Sequence, residues 1–273
     1  MSRQIPFSYR CGRCGSCCTD MRIQVNPYEV CRLARRQGLT TTHFLARHTV
    51  SGVRLAARPD LACGFLSAAG CAAHPDRPLV CRLYPLARHV NTNGRERFAC
   101  LLPRPGSSGG YAGEGSVEDY LEANGAGPFL AEADAWLALF SRVLTLFQAL
   151  LADHSLLAAL ASDIRLDLLQ DRPPPESPLL DTDRFAGAFC AARNLILPAD
   201  PGEKSRLHRE ALEEWLAALR PGQEGFAESL ARLVAALGMG LGVNVAALLQ
   251  DAAEEPPGAS ELDEALRLGA EIL

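Results

Sequence analysis

The run Cys11-x2-Cys14-x2-Cys17-Cys18, followed by Cys63, Cys71, Cys81 and Cys100, constrains this chain more than any other feature. Cysteines at two-residue gaps can turn successive thiolates toward one centre when the backbone curls, and Gly12 and Gly15 permit that. Iron–sulfur proteins use such C-x2-C-x2-C runs with a remote fourth ligand. Cys17 and Cys18 are adjacent, so their side chains diverge and serve either two metals or two edges of one multinuclear centre. A disulfide between such neighbours would be strained. Eight thiolates suffice for two zinc ions, two clusters, or one cluster and one zinc. An iron–sulfur cluster, 4Fe–4S in type, is favoured, because structural zinc more often uses two separated C-x2-C knuckles. Structural zinc that performs no chemistry is the plainest alternative.

The charge pattern divides the 273-residue chain in two. Residues 1–105 carry 16 Arg, no Lys and five acids, a net +11, whereas residues 106–273 carry 11 basic and 27 acidic residues, a net −16. An excess of guanidinium suits a compact region enclosing anionic sulfur, and Arg10, Arg13, Arg77 and Arg82 lie closest to the cysteines in sequence. The Arg residues form no run and have no interleaved aromatics, which argues against a nucleic-acid surface. The basic part could instead dock on the acidic part.

The opening MSRQIPFSYRCGRCG lacks an apolar core and a small-residue cleavage site, so no secretory signal is expected. The expected setting is cytoplasmic and reducing, where ten cysteines do not form a disulfide framework. Two apolar stretches, Trp136 to Leu151 and Ala235 to Leu249, read as buried helices, since Arg142 and Gln148 interrupt the first and the second is too short to span. No membrane contact is expected.

Local signals place the elements. Met21 to Val25 alternates like a short strand. Asn26 followed by Pro27 predicts a helix through Arg36 that ends at Gly38. Thr40 to Arg47 predicts a second short helix, and Val53 to Ala57 a strand. Six prolines between 59 and 105 predict irregular chain there. The stretch Arg104 to Gly115, RPGSSGGYAGEG, reads as a flexible boundary. Helical periodicity follows over Phe129 to His154, Ser155 to Gln170, and near 182–196, 204–220, 223–253 and 259–272. The expected fold class is mainly α: an irregular cysteine-rich α+β metal-binding module over 5–105, then an all-α helical region over 116–273.

Other candidates carry milder readings. His74 is expected to pack or to hydrogen-bond beside the centre rather than to ligate, and Tyr84 to pack against its wall. Cys31, inside the first helix, and Cys190 are expected to be core residues. Gly238-Met-Gly-Leu-Gly-Val243 lacks the preceding strand a phosphate loop needs, and Glu213, Glu214 and Asp251 to Glu255 read as solvated helix faces.

The string CGRCGSCC, then Cys63-Gly-Phe-Leu, Cys71-Ala-Ala-His74 and Arg77-Pro78-Leu-Val-Cys81-Arg82-Leu-Tyr84-Pro85, resembles the YkgJ-type CxxCxxCC family. The likeness spans roughly 7–103 and includes the Asn26-Pro-Tyr-Glu29 helix opening. It implies zinc or iron chelation by eight cysteines: Cys11, Cys14, Cys17, Cys18, Cys63, Cys71, Cys81 and Cys100. In that family the eighth cysteine directly precedes proline, whereas here Cys100 is followed by Leu-Leu-Pro103. The resemblance implies no settled reaction. The same module occurs in flagellin lysine methylases, so a cluster-dependent protein-modifying enzyme using S-adenosylmethionine is one alternative, although the acidic region shows no methyltransferase signature. The other is a non-enzymatic metal-handling protein whose acidic bundle recruits a basic protein client.

Overall fold

The computed structural model describes residues 1–90, 95–102, 104, 106–111, 113–151, 178–219 and 226–241. The helices expected over Ser155 to Gln170 and 259–272, and the part of the last apolar stretch beyond 241, lie outside the described residues. Within them the fold is mainly α, with eight α-helices and three two-stranded antiparallel sheets confined to the first 100 residues.

The first helices start where their caps dictate. α1 (Pro27–Arg36) opens on a reciprocal box: the Asn26 side chain accepts from the Glu29 amide, and the Glu29 carboxylate accepts from the Asn26 amide. α2 (Thr41–His48) opens on Thr40, whose hydroxyl accepts from the His43 amide. Between and after them the chain makes short pairings. β1 (Thr49–Val50) pairs with β2 (Arg54–Leu55), and β3 (Leu66–Ser67) with β4 (Gly70–Cys71). The strand expected over Met21 to Val25 is reduced to one bridge, Gln24 to Arg54, flanked by bonds between Ile23 and Leu55 and between Val25 and Val53.

Residues 58–105 are more regular than their prolines suggest. α3 (Leu79–Leu83) follows Pro78, and a five-residue hairpin pairs β5 (Leu86–Val90) with β6 (Glu96–Cys100), in register from Leu86 opposite Cys100 to Val90 opposite Glu96. Pro78 stands at the N-cap of α3 and Pro85 just before β5, positions where a missing amide costs nothing. Proline therefore punctuates these elements instead of abolishing them.

The later helices are α4 (Val117–Ala123), α5 (Gly127–Leu151), α6 (Thr182–Ala191), α7 (Pro201–Ala218) and α8 (Phe226–Gly240). α5 buries Trp136, Leu139, Phe140, Val143, Leu144 and Phe147, a helical stripe that meets Leu212 and Leu216 of α7 and Leu230, Leu233 and Leu237 of α8. No helix among the described residues is long and apolar enough to cross a membrane.

Packing crosses the compositional divide. A second core holds Val30, Leu33, Phe44, Leu55 and Phe65 of the cysteine-rich part. A third joins Tyr9, Leu83, Leu86 and Phe98 to Val117, Tyr120, Leu121 and Leu130. The Thr41 hydroxyl donates to buried Asp181 at 2.6 Å, tying α2 to α6. Arg82, buried, donates to the carbonyls of Arg77, Pro75 and Asn124 and lies 3.8 Å over the Phe129 ring. The Gly/Ser stretch is likewise held by residues 5–10: Phe7 donates to the Gly115 carbonyl, Arg10 and Gly110 exchange backbone bonds, and Val117 donates to Ile5.

Candidate metal centre

Four separate segments deliver the cysteines. Cys11 and Cys14 lie on the loop before a 3-10 turn, Ser16–Cys18, which Gly15 at φ +80° initiates. That turn is stitched to the next segment, since the Cys63 amide donates to the Cys18 carbonyl at 2.7 Å and Asp20 to Leu61 at 2.8 Å. Cys71 ends β4, opposite Leu66. Cys81 sits in α3, whose first amide, on Leu79, donates to the Glu29 carboxylate at 2.6 Å. The α1 cap thus also fixes the helix that presents Cys81.

Seven of the eight sequence-expected ligands, Cys11, Cys14, Cys17, Cys18, Cys63, Cys71 and Cys81, line one cavity of about 300 Å³. The eighth does not. Cys100 is exposed at the end of β6, its sulfur 3.8 Å from the Tyr111 hydroxyl and 3.6 Å from the Leu101 carbonyl. All ten cysteines are free thiols. Cys31 and Cys190 are buried, away from this cavity, as core residues would be. No three Cys, His, Asp or Glu among the described residues form a group that could hold a metal ion as they stand.

The seven fall into two tiers. Cys17, Cys18, Cys63, Cys71 and Cys81 are half-buried and perturb one another's ionisation, while Cys11 and Cys14, the latter also acting on Cys17, stand at the exposed edge. Burial, followed by the charge of neighbouring thiolates, raises Cys81 well above an ordinary thiol; burial also raises Cys63 and Cys71. In the adjacent pair, a mutual hydrogen bond lowers Cys17 to about 7 and pushes Cys18 up. Cys14 is lowered to about 6 by its hydrogen bond with the Ser16 side chain, to which the thiol donates, and by the bond it accepts from the Ser108 amide. Crowded buried sulfurs that resist sharing negative charge are a donor set suited to a soft cation, which would compensate the thiolates and release their protons. The donor chemistry suits a thiolate-bound metal, although the sulfurs as they stand are not gathered closely enough to ligate one.

The surroundings of the cavity are cationic. Arg13, Arg22, Arg77 and Arg88 line it, and no Asp or Glu does. Arg88 is neutralised by Glu96 and Asp134. Of the four arginines singled out by sequence, Arg13 and Arg77 reach the cavity, Arg82 is a buried brace, and Arg10 pairs by its backbone. His74 lines the wall with Nδ1 3.3 Å from Arg77 Nη1, and burial together with Arg77 and Arg13 lowers it to about 4, so it is neutral near pH 7. Tyr84 also lines the wall, and its hydroxyl accepts from the Arg104 amide at 3.0 Å.

Sequence reasoning missed Tyr9, Met21 and Ser107, which line the same cavity. Tyr9 packs edge-on to Tyr84 and Tyr111, with its hydroxyl 3.3 Å from Ser107. The signal for Tyr9 was its place two residues before Cys11. Ser107 carried none, because a Gly/Ser run reads as linker wherever it lies.

Residues 10–100, a third of the chain, match the family model CxxCxxCC, described as "Putative zinc- or iron-chelating domain". This is the family that the cysteine motifs resemble. No curated protein and no solved structure matches the chain.

Proposed function

We propose that this protein holds a metal centre through the cysteines of its N-terminal part, an iron–sulfur cluster in preference to zinc, in a reducing cytoplasmic setting. The observation that carries the reading is the convergence of seven free cysteines from four segments on one cavity of about 300 Å³. The five inner sulfurs supply the anchoring ligands, and Cys11 and Cys14 complete the set at the edge. Cys100, directed to Tyr111, is the outermost of the eight candidates. Two features favour a cluster. The C-x2-C-x2-C run is its usual ligand pattern, and the cavity is roomier than a single tetrahedral ion requires, since such sites close directly on the metal. The ion or cluster would supply positive charge to the thiolates and hold the loops together.

The deciding experiment is anaerobic purification with elemental and sulfide analysis. The expected product is brown and contains iron with acid-labile sulfide. Colourless protein with stoichiometric zinc and no sulfide would replace the cluster by zinc. Protein free of both metals after supplementation would refute the centre altogether.

A further inference from the structure

We infer that Arg82 is a positioning residue that couples the metal centre to the helical part. The α4–α5 junction holds α3, and with it Cys81, where metal binds, and metal at Cys81 stabilises that junction in return. The inference rests on the metal reading and adds a regulation to it. Cys81 and Arg82 are neighbours in α3, yet they meet different surroundings. Cys81 lines the cavity, while the Arg82 guanidinium is buried against the start of the helical part.

The junction grips this segment at several points. Arg82 Nη1 donates at 2.8 Å to the carbonyl of Asn124, the residue that ends α4, and Arg77 Nη2 donates to the Asn124 side chain at 2.7 Å. From α4, the Tyr120 hydroxyl donates at 2.6 Å to the carbonyl of Tyr84, just past α3. In the first turn of α5, the buried Phe129 ring has the Arg82 guanidinium 3.8 Å from its centroid and that of Arg32 at 5.0 Å. A cation over an aromatic ring is worth most where both are desolvated. Displacing Arg82 would also strand buried carbonyls without their donor.

These bonds make α3 the fixed side of the cavity. Glu29 holds its first amide and Tyr120 the carbonyl beyond its last turn. Cys11 and Cys14 instead lie on an exposed loop, and Cys71 ends a two-residue strand. No group of these cysteines could hold a metal ion as they stand, so loading brings the loops onto Cys81. A metal–thiolate bond there favours the α3 position in which Arg82 makes its contacts. By linkage, those contacts favour the metal by the same factor. Because α5 also buries Trp136 in the helical core, occupancy of the centre reaches that core through α5.

The test is hydrogen exchange of the full chain, kept anaerobic, metal-free or reconstituted with iron and sulfide or with zinc, joined to metal retention under chelator competition. Loading is expected to raise protection over 117–130 about fivefold more than over α7, which reads global stabilisation; fivefold is the lower end of coupling between sites. Arg82→Lys keeps the charge but loses the fork, and Phe129→Leu leaves the hydrogen bonds of α3 in place. Each should release metal about fivefold more readily and lose the excess protection at the junction. Leu233→Ala, in the core of α8, should lower stability yet keep its metal. An equal rise over 117–130 and α7 in wild type overturns the inference. So does wild-type metal retention in Phe129→Leu, or metal loss from Leu233→Ala as large as from Phe129→Leu. Should Arg82→Lys fail to fold, Phe129→Leu decides alone. Protein that takes up no metal refutes the metal reading and this coupling with it, whereas loaded protein with an even rise in protection refutes the coupling alone.

Discussion

One carboxylate of Glu29 serves two helices: Oε2 accepts from the Asn26 amide at the start of α1, and Oε1 accepts from the Leu79 amide at the start of α3. Glu29 is buried, and burial raises it to about 7 even though both bonds favour its charged form. Glutamine has only one acceptor oxygen, so Glu29→Gln leaves one of the two amides facing an NH2 group. The expected loss is about 1–3 kcal/mol, the usual cost of an unsatisfied buried polar group. Urea denaturation of the metal-loaded variant checks it. The same variant should bind metal more weakly, since α3 carries Cys81.

The tiers of sulfur predict an uneven response to substitution. Cys81→Ser and Cys17→Ser should each weaken metal retention at least as much as the roughly 10–100-fold typical of changes around a metal's ligands. Cys100→Ser should keep most of its metal, and Cys190→Ala all of it, because Cys190 is buried away from the cavity. Metal-to-protein ratios after competition with a chelator distinguish these outcomes. Equal loss from Cys81→Ser and Cys100→Ser would show that Cys100 swings inward on loading.

Local chemistry explains which features were legible in the sequence. Asn26-Pro27 and Thr40 announce their helices because a cap is decided within three residues. The cysteine convergence is legible because tight spacing limits where thiolates can point. The β5–β6 hairpin is not, since prolines on either side of it suggest irregular chain and obscure the Asn93-Gly94 hairpin signal between its strands. Nor is the second role of Glu29, whose partner Leu79 is 50 residues away. The outward position of Cys100 follows from an aromatic neighbour, Tyr111, that no spacing rule connects to it.

The Gly/Ser stretch expected to be a flexible boundary lies against the cysteine loop. A Cβ at Gly12 would stand 2.3 Å from the Ser108 hydroxyl oxygen and 2.8 Å from its carbonyl, and a Cβ at Gly109 would overlap the Tyr9 ring. Gly12→Ala should therefore lift residues 106–111 off Cys14, at about 1–3 kcal/mol, as overpacking usually costs. In metal-free protein at pH 6–7 the already exposed Cys14 should then react more slowly with a thiol reagent than in wild type, because losing the Ser108 amide bond raises its thiol, as mass spectrometry of the labelled peptide would report. Proteolysis within 104–115 should accelerate in parallel. Unchanged labelling and cleavage would mean that the stretch is already free in solution.

In the helical part, His208 is buried between α5, α6 and α7. Nδ1 lies 2.9 Å from the Thr182 hydroxyl and Nε2 2.6 Å from the Leu179 carbonyl, while Trp136 and Phe185 pack on the ring. Burial lowers it from 6.5 to about 4; Arg209 adds to this, and Asp181 and the bond to Leu179 oppose it. The unfolded chain then binds a proton near pH 6.5 that the folded chain refuses until about pH 4, so stability falls as pH drops through this window. The contribution lost below pH 4 is at most about 3 kcal/mol. Trp136 and Trp215, the only tryptophans, sit in α5 and α7 and report unfolding of this part. Urea midpoints followed by their fluorescence should fall between pH 6.5 and 4 in wild type. They should fall less steeply in His208→Gln, which starts from lower stability because glutamine cannot span both bonds. Parallel acid limbs in the two proteins would assign the loss to carboxylates instead.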